Sequence, residues 1–410
     1  MDSKSQAYPI RVGLLYGHKP SGHYSAARAL ADFFPASIIE PVFIDLSEVY
    51  PNLGSFVAKT YLEILNKTPA LWDYIYDNNF VAMAAMGIKT AVFPYYSKKL
   101  IEVLRKKNID AVVSTHALAA MLLAKGDDSG AAAGSHTHRT WGKPLWGERP
   151  APQSSGKGAA RPLKAAPLFA VLTDFYAHSY WPSEGVELYF SPDGTAAAGL
   201  KANGVAPSRI VTTGIPVRKE FLIQGDSLRK RKELGLQANL FTALIAGGSK
   251  GLGDIMLSVE TLKKFLGKIQ LIVMCGENKK LCGSLEKNLA GQKHLKIIND
   301  FVEDPADYYR AADLIIGKAG GVTIAETMAL NKPMLLFSSL PGQEEHNARF
   351  LIKNRLADFA EDPRQLENMM RRYLRHPGSL ASLKNKLTAA ARPCAARDIA
   401  AGIMKNLLPR

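Results

Sequence analysis

Three segments in the second half of this chain combine residue types that can grip an anion and read hydroxyl groups. AGGSKGLGD, residues 246–254, follows an apolar run and precedes a helical pattern, so Gly247, Gly248 and Gly251 let the backbone approach a phosphate beside Ser249. Its spacing is neither the GxGxxG of a dinucleotide turn nor that of a P-loop, and such a turn is often only a tight connection. GKAGGVTIAE, residues 317–326, sets Gly320 and Gly321 ahead of Thr323. Free amides would open a helix there, where the dipole favours negative charge by about 0.3–1 kcal/mol. Glu326 is expected in the first turn of that helix, either offsetting the dipole or accepting from two vicinal ribose hydroxyls. LPGQEEHNARF, residues 340–350, reads as a loop carrying Gln343, Glu344, Glu345 and Asn347. That mixture of donors and acceptors exceeds what a capping loop needs and suits a polyhydroxyl ligand. Two phosphate-gripping turns, a carboxylate for ribose and a hydroxyl-reading loop together point to a nucleotide sugar.

Such segments need strands to place them. In the first half, IRVGLLYG, VFIDLSEVY, DAVVSTH, PLFAVLTD, ELYFSPDG and RIVTTGIPV supply short apolar runs separated by turns or helical patterns. The second half repeats the alternation with LFTALIAGG, IQLIVMCG, LKIIND, ADLIIGK and PMLLFSS. Strands alternating with helices predict an α/β protein of two doubly wound, Rossmann-like parallel sheets, with ligands gathered at the carboxyl ends of the strands. The expected division is 1–216, 217–385 and a helical tail over 386–410, with SLRKRKELGL as a linking helix. Residues 126–166, rich in Gly, Pro, Ser and Ala and without periodicity, read as a flexible insert. SHTH within it is more simply a pair of solvated histidines than a metal site.

Composition narrows the partners. Among 410 residues, 52 Lys and Arg oppose 37 Asp and Glu for a net charge of +15. Such an excess favours an anionic partner, whether nucleic acid, acidic lipid surface or phosphorylated small molecule. No nucleic-acid-binding signature is present, and none is expected as a partner. Cys275, Cys282 and Cys394 have neither a CxxC pair nor ligand spacing, which suits reduced thiols in the cytosol. No run of 18 apolar residues predicts a membrane span, and the polar start predicts no signal sequence.

The strings KAGG-TIAE and PGQEE-NARFL, in that order and separation, resemble the donor half of family 28 glycosyltransferases. The group most similar is that of monogalactosyldiacylglycerol synthases and processive diacylglycerol glucosyltransferases. The resemblance implies a GT-B fold, two lobes facing a cleft, with a UDP-sugar in the C-terminal lobe. It implies that Gly248, Gly321 and Thr323 meet the diphosphate, with Ser249 and Gly320 beside them. It places Glu326 at the ribose, Gln343 and Glu344 at the sugar with Asn347 alongside, and the backbone around Phe301 and Val302 at uracil. SGHYSAARAL resembles the family's Gly-Gly-Gly-His turn, keeping only Gly22 of the triplet, and this puts His23 in the position of the base. An imidazole, with an ordinary pKa near 6.5, suits proton removal at neutral pH. LTDFYAHSYW resembles the N-terminal signature, with Asp174 beside the cleft to orient His23 or an acceptor hydroxyl. His116, His178 and Trp181 are either acceptor-side groups or structural ones.

The implied reaction is inverting transfer of a hexose from a UDP-sugar to a membrane lipid hydroxyl such as that of diacylglycerol. Helix N-termini would stabilise the departing UDP, so no metal and no cofactor are expected, and EDPAD (303–307) reads as a helix cap. A transferase of the peptidoglycan-precursor type using UDP-N-acetylglucosamine, a nucleotide-sugar 2-epimerase, and a non-catalytic UDP-sugar sensor are the alternatives. A lipid acceptor implies an anionic membrane surface as partner, met by YYSKKLIEVLRKK and by Trp141 and Trp146. The expected location is cytoplasmic, peripheral to the inner face of the cell membrane.

Overall fold

The structure, a computed structural model, describes residues 9–51, 95–123, 166–337 and 342–408. The apolar runs of the first half form β1 (Ile10–Tyr16), β2 (Ile39–Asp45), β3 (Ala111–Ser114), β4 (Leu168–Val171), β5 (Val186–Ser191) and β6 (Ile210–Thr212). Those of the second form β7 (Phe241–Ala246), β8 (Ile269–Met274), β9 (Leu295–Ile298), β10 (Leu314–Gly317), β11 (Met334–Phe337) and β12 (Asp358–Ala360). β12 went unpredicted because three residues at a sheet edge carry no period. Two six-stranded sheets result, ordered β2-β1-β3-β4-β5-β6 and β12-β11-β10-β7-β8-β9. Each strand pairing is parallel. Parallel sheets covered on both faces need unbroken apolar strands, and β3, β4 and β11 are buried at every position.

Strand order fixes where loops can converge. β1 lies between β2 and β3, so successive crossovers leave it in opposite directions and open a crevice at its carboxyl end. In the second sheet β7 lies between β10 and β8 and opens the equivalent crevice. Of the helices that start at the carboxyl ends of the two sheets, three bear on these crevices: α1 (Gly22–Ala31) after β1, α2 (Gly321–Ala329) after β10, and α3 (Gln343–Lys353) after β11.

The last helix, α4 (Ala395–Leu407), returns to the N-terminal lobe. Its Ala396, Ile399, Ile403 and Leu407 pack with Val12, Leu14, Val113 and Phe169 of the first sheet. The boundary expected between residues 385 and 386 falls inside the helix Gly378–Ala390, and the linking helix spans Ser227–Glu233. A further helix covers residues 95–106, burying Leu100, Ile101 and Leu104 while Lys98, Lys99, Arg105 and Lys106 face outward. The expected insert, its histidines, and Trp141 and Trp146 lie outside the described residues.

Because α4 closes a face of the first sheet, truncating its apolar side chains should unfold that lobe most easily. Ile403→Ala, at a fully buried position, is expected to cost about 2–4 kcal/mol. The check is a shift of the urea midpoint at unchanged slope.

Candidate functional site

Between the two sets of strand ends lies a cleft of about 240 Å³. Its walls bring together His23, Gly22 and Asp174 from the N-terminal lobe with Gly248, Ser249, Phe301, Val302, Gly320, Gly321, Thr323, Glu326, Gln343 and Glu344 from the other. Asn347, His116 and His178 do not line it.

His23 is the second residue of α1, whose N-cap Ser21 accepts from the Tyr24 amide. The imidazole Nδ1 lies 2.7 Å from the Thr115 carbonyl, with the Thr173 hydroxyl at 3.2 Å. A carbonyl only accepts, so Nδ1 carries the proton and Nε2 holds a lone pair. Burial lowers the His23 pKa below its ordinary value, opposed by the Thr115 bond, so the ring is neutral near pH 7. The partner that orients His23 is therefore Thr115, whereas Asp174, expected to orient either His23 or an acceptor hydroxyl, is bonded to Asn347. The two threonines were missed because only strand packing brings them to the ring.

His116 stands edge-on to His23, ring centroids 4.7 Å apart, and its Nδ1 accepts from the Leu118 amide at 3.2 Å. It is a wall behind His23. His178 is buried against Trp181 at 5.8 Å, and desolvation drives its pKa down to about 3.

The C-terminal lobe presents open backbone. α2 starts at Gly321 with Gly320 as N-cap and no side chain bonded across its end, so its first amides are available to an anion. Gly321 is obligatory for a geometric reason: a Cβ there would stand 1.9 Å from the Thr173 carbonyl oxygen and 3.0 Å from Asp174 Oδ1. Because the helix begins at Gly321 itself, Glu326 falls in its second turn rather than the first. Its carboxyl faces Ser25 Oγ at 3.4 Å, and burial raises its pKa to about 7 against the pull of Arg218. EDPAD opens the helix Ala306–Ala311, where Asp304 accepts from the Ala306 amide at 3.2 Å.

PGQEEHNARF proves to be a helix rather than a loop from Gln343 onward. Its acidic pair Glu344 and Glu345 occupies the first turn, which the helix dipole favours. Glu345 points to Arg349 along the outer face, away from the cleft. Asn347, expected at the donor, is fully buried between the lobes instead. Its Oδ1 accepts from the Phe175 amide at 2.8 Å. Its Nδ2 donates to Asp174 Oδ1 at 2.8 Å and to the Ala319 carbonyl at 3.0 Å. Burial raises the Asp174 pKa to about 6, and the Asn347 bond opposes that rise. Other contacts also cross the interface: Ser249 Oγ donates to the Pro20 carbonyl at 3.2 Å, Arg28 pairs with Glu303 at 2.5 Å, and the Phe175 and Phe350 rings stack at 4.4 Å. Arg28, Arg218, Tyr309 and Lys318 also line the cleft. Of these only Lys318, beside the glycine pair, had a signal in the sequence.

Two doubly wound parallel lobes closing on a cleft built from their carboxyl strand ends define a GT-B architecture. Residues 242–396 match the glycosyltransferase family 28 C-terminal domain, and residues 159–217 match monogalactosyldiacylglycerol (MGDG) synthase. The chain is 32% identical over 224 residues to the processive diacylglycerol beta-glucosyltransferase of Bacillus pumilus, covering 50% of this chain and 57% of that one. It is 25% identical over 370 residues to monogalactosyldiacylglycerol synthase 2 of Arabidopsis thaliana, covering 86% and 71%. The match spans about half the length of the first curated relatives. Among solved structures, that of MnaA from S. aureus with UDP shares the fold, with a TM-score of 0.58, 12% identity and 97% of each chain covered.

Two outcomes test the site's energetics. Asn347→Ala should cost about 1–3 kcal/mol for each buried partner left unsatisfied and lower the melting temperature. Glu326 has a folded pKa above its unfolded value, so its ionisation weakens folding as pH rises from about 4.5 through about 7. Glu326→Gln should therefore stabilise the ligand-free protein at pH 8, on the order of 2–3 kcal/mol, and have little effect at pH 5. Thermal unfolding at the two pH values measures the difference.

Proposed function

We propose that the protein transfers a hexose from a UDP-sugar to the hydroxyl of a membrane lipid of the diacylglycerol class, with inversion at the anomeric carbon. The observation that carries this reading is a neutral imidazole, its Nε2 lone pair unengaged by the Thr115 bond, on the opposite wall of one cleft from an uncapped helix N-terminus. His23 takes the acceptor proton as that oxygen attacks the sugar. The amides of Gly321 and its neighbours, with the Gly248–Ser249 turn, hold the diphosphate as negative charge grows on it. Glu326 accepts from the ribose hydroxyls, Phe301 and Val302 flank the base, and Gln343 and Glu344 read the sugar. Asp174 faces the same space and binds the acceptor side.

The lipid acceptor is supported by two kinds of relatives, glucosyltransferases and galactosyl-lipid synthases of diacylglycerol. Delivery of a lipid requires contact with a bilayer. Among the described residues no helix is long and apolar enough to cross one. The outward lysines and arginines of residues 95–106, with Tyr95 at 70% exposure, suit peripheral attachment to an anionic surface. Protein mixed with UDP-[14C]glucose or UDP-[14C]galactose and diacylglycerol vesicles should yield labelled lipid. His23→Ala should lose about 10²–10⁴-fold in turnover while still binding UDP. Full turnover by that variant would remove His23 from the role of base. Because burial lowers the His23 pKa, the acidic limb of the rate profile should lie below pH 6.5.

A further inference from the structure

We propose that Lys318 is a charge that changes partner when the nucleotide enters: the ion pair with Glu344 gives way to one with the terminal phosphate of the nucleoside diphosphate, releasing the Glu344 carboxylate to read the sugar. The inference rests on the nucleotide-sugar reading given above and deepens it.

The geometry is that of a cation at a meeting point. Lys318 follows β10 directly, and its Nζ donates to Glu344 Oε1, with the two side chains only 16% and 8% exposed. A Cβ on Gly248 would stand 3.8 Å from that Nζ, and one on Gly320 would stand 3.9 Å from it. The ammonium therefore sits between the two glycine turns whose amides face the cleft.

Burial makes the pairing consequential. A carboxylate and an ammonium withdrawn from water are stable only together, and removing one leaves the other uncompensated. An arriving diphosphate brings at least two negative charges to the Gly248 and Gly320 amides, beside the Glu344 carboxylate. Two anions side by side repel, while the ammonium, on a flexible stem, can swing to a phosphate oxygen without leaving the cluster. Glu344 then gives up that ion pair and can accept a donor in its place. Next to it in the first turn of α3 lies Gln343, and both line the same cleft as Gly248 and Gly320. A sugar hydroxyl placed there donates to Glu344 and replaces the lysine. UDP alone takes the lysine without supplying that hydroxyl, whereas a UDP-hexose does both. Phosphate gripping and sugar recognition are in this way one coupled exchange rather than two separate contacts.

Calorimetric titration of UMP, UDP and UDP-glucose or UDP-galactose into the full-length protein tests this. In the wild type, UDP should bind about tenfold or more tightly than UMP. Lys318→Met should bring UDP close to UMP, and Lys318→Arg should keep most of the gain. Glu344→Gln should tighten UDP several-fold, because the lysine is already released, and shrink the added affinity of the hexose. The double variant Lys318→Met, Glu344→Gln leaves no unpaired buried charge, folds without that cost, and should show neither gain. UDP affinity in Lys318→Met within twofold of wild type would overturn the proposal. So would a UDP to UDP-hexose ratio unchanged in Glu344→Gln. A wild type that binds neither nucleotide brings down the nucleotide-sugar reading and this one with it. Normal binding without lipid labelling removes only the transferase reading.

Discussion

The approach of Gly321 to the Thr173 carbonyl sets the geometry of everything in the cleft. Only a residue without a side chain lets the first turn of α2 come this close to the end of β4. At that distance the open helix end of one lobe and the imidazole of the other belong to one small volume. Asn347 reinforces the contact from behind, accepting from the Phe175 amide and donating to both Asp174 and the Ala319 carbonyl. The ring stacks of Phe175 on Phe350 and of Tyr176 on His346 extend the seam. Precise lobe placement thus rests mainly on backbone groups, one carboxamide and stacked rings, and the ion pair of Arg28 with Glu303, the more exposed contact, adds modestly.

Closing the lobes also sets protonation. Withdrawing groups from water disfavours their charged forms, so His23 shifts down while Asp174 and Glu326 shift up to about 6 and about 7. The ligand-free cleft therefore carries less charge near neutrality than its residue types suggest. A neutral imidazole is a competent base, and a partly protonated carboxyl can donate as well as accept. The same desolvation that costs stability prepares the chemistry, a pattern common at functional sites.

Much of this was legible in the sequence. Alternation of apolar runs with helical stretches gave two parallel sheets, and KAGG-TIAE was correctly an amide-rich helix start because glycine pairs before Thr announce one. Errors came where spacing had to stand in for geometry. Asn347 looks like a ligand residue among Gln343 and Glu344, yet it lies one turn further along the same face of the helix, where the seam rather than the cleft receives it. Glu326 moved by a turn because a helix start cannot be fixed from sequence to within a residue or two. β12 and the return of α4 to the first lobe left no local signature, since an edge strand of three residues has no period and an amphipathic helix does not name the sheet it covers.

The sequence by itself determined the strand and helix alphabet, the glycines that permit close approach, and the residue types able to hold a diphosphate and a sugar. These are local properties: backbone freedom, periodicity and side-chain chemistry. Which groups meet was decided by tertiary structure alone. Thr115 reaches His23 and Lys318 reaches Glu344 only once the sheet that carries each pair has formed, and Asp174 reaches Asn347 only once the two lobes meet, because each pair joins separate strand ends whose separation along the chain says nothing about distance in space.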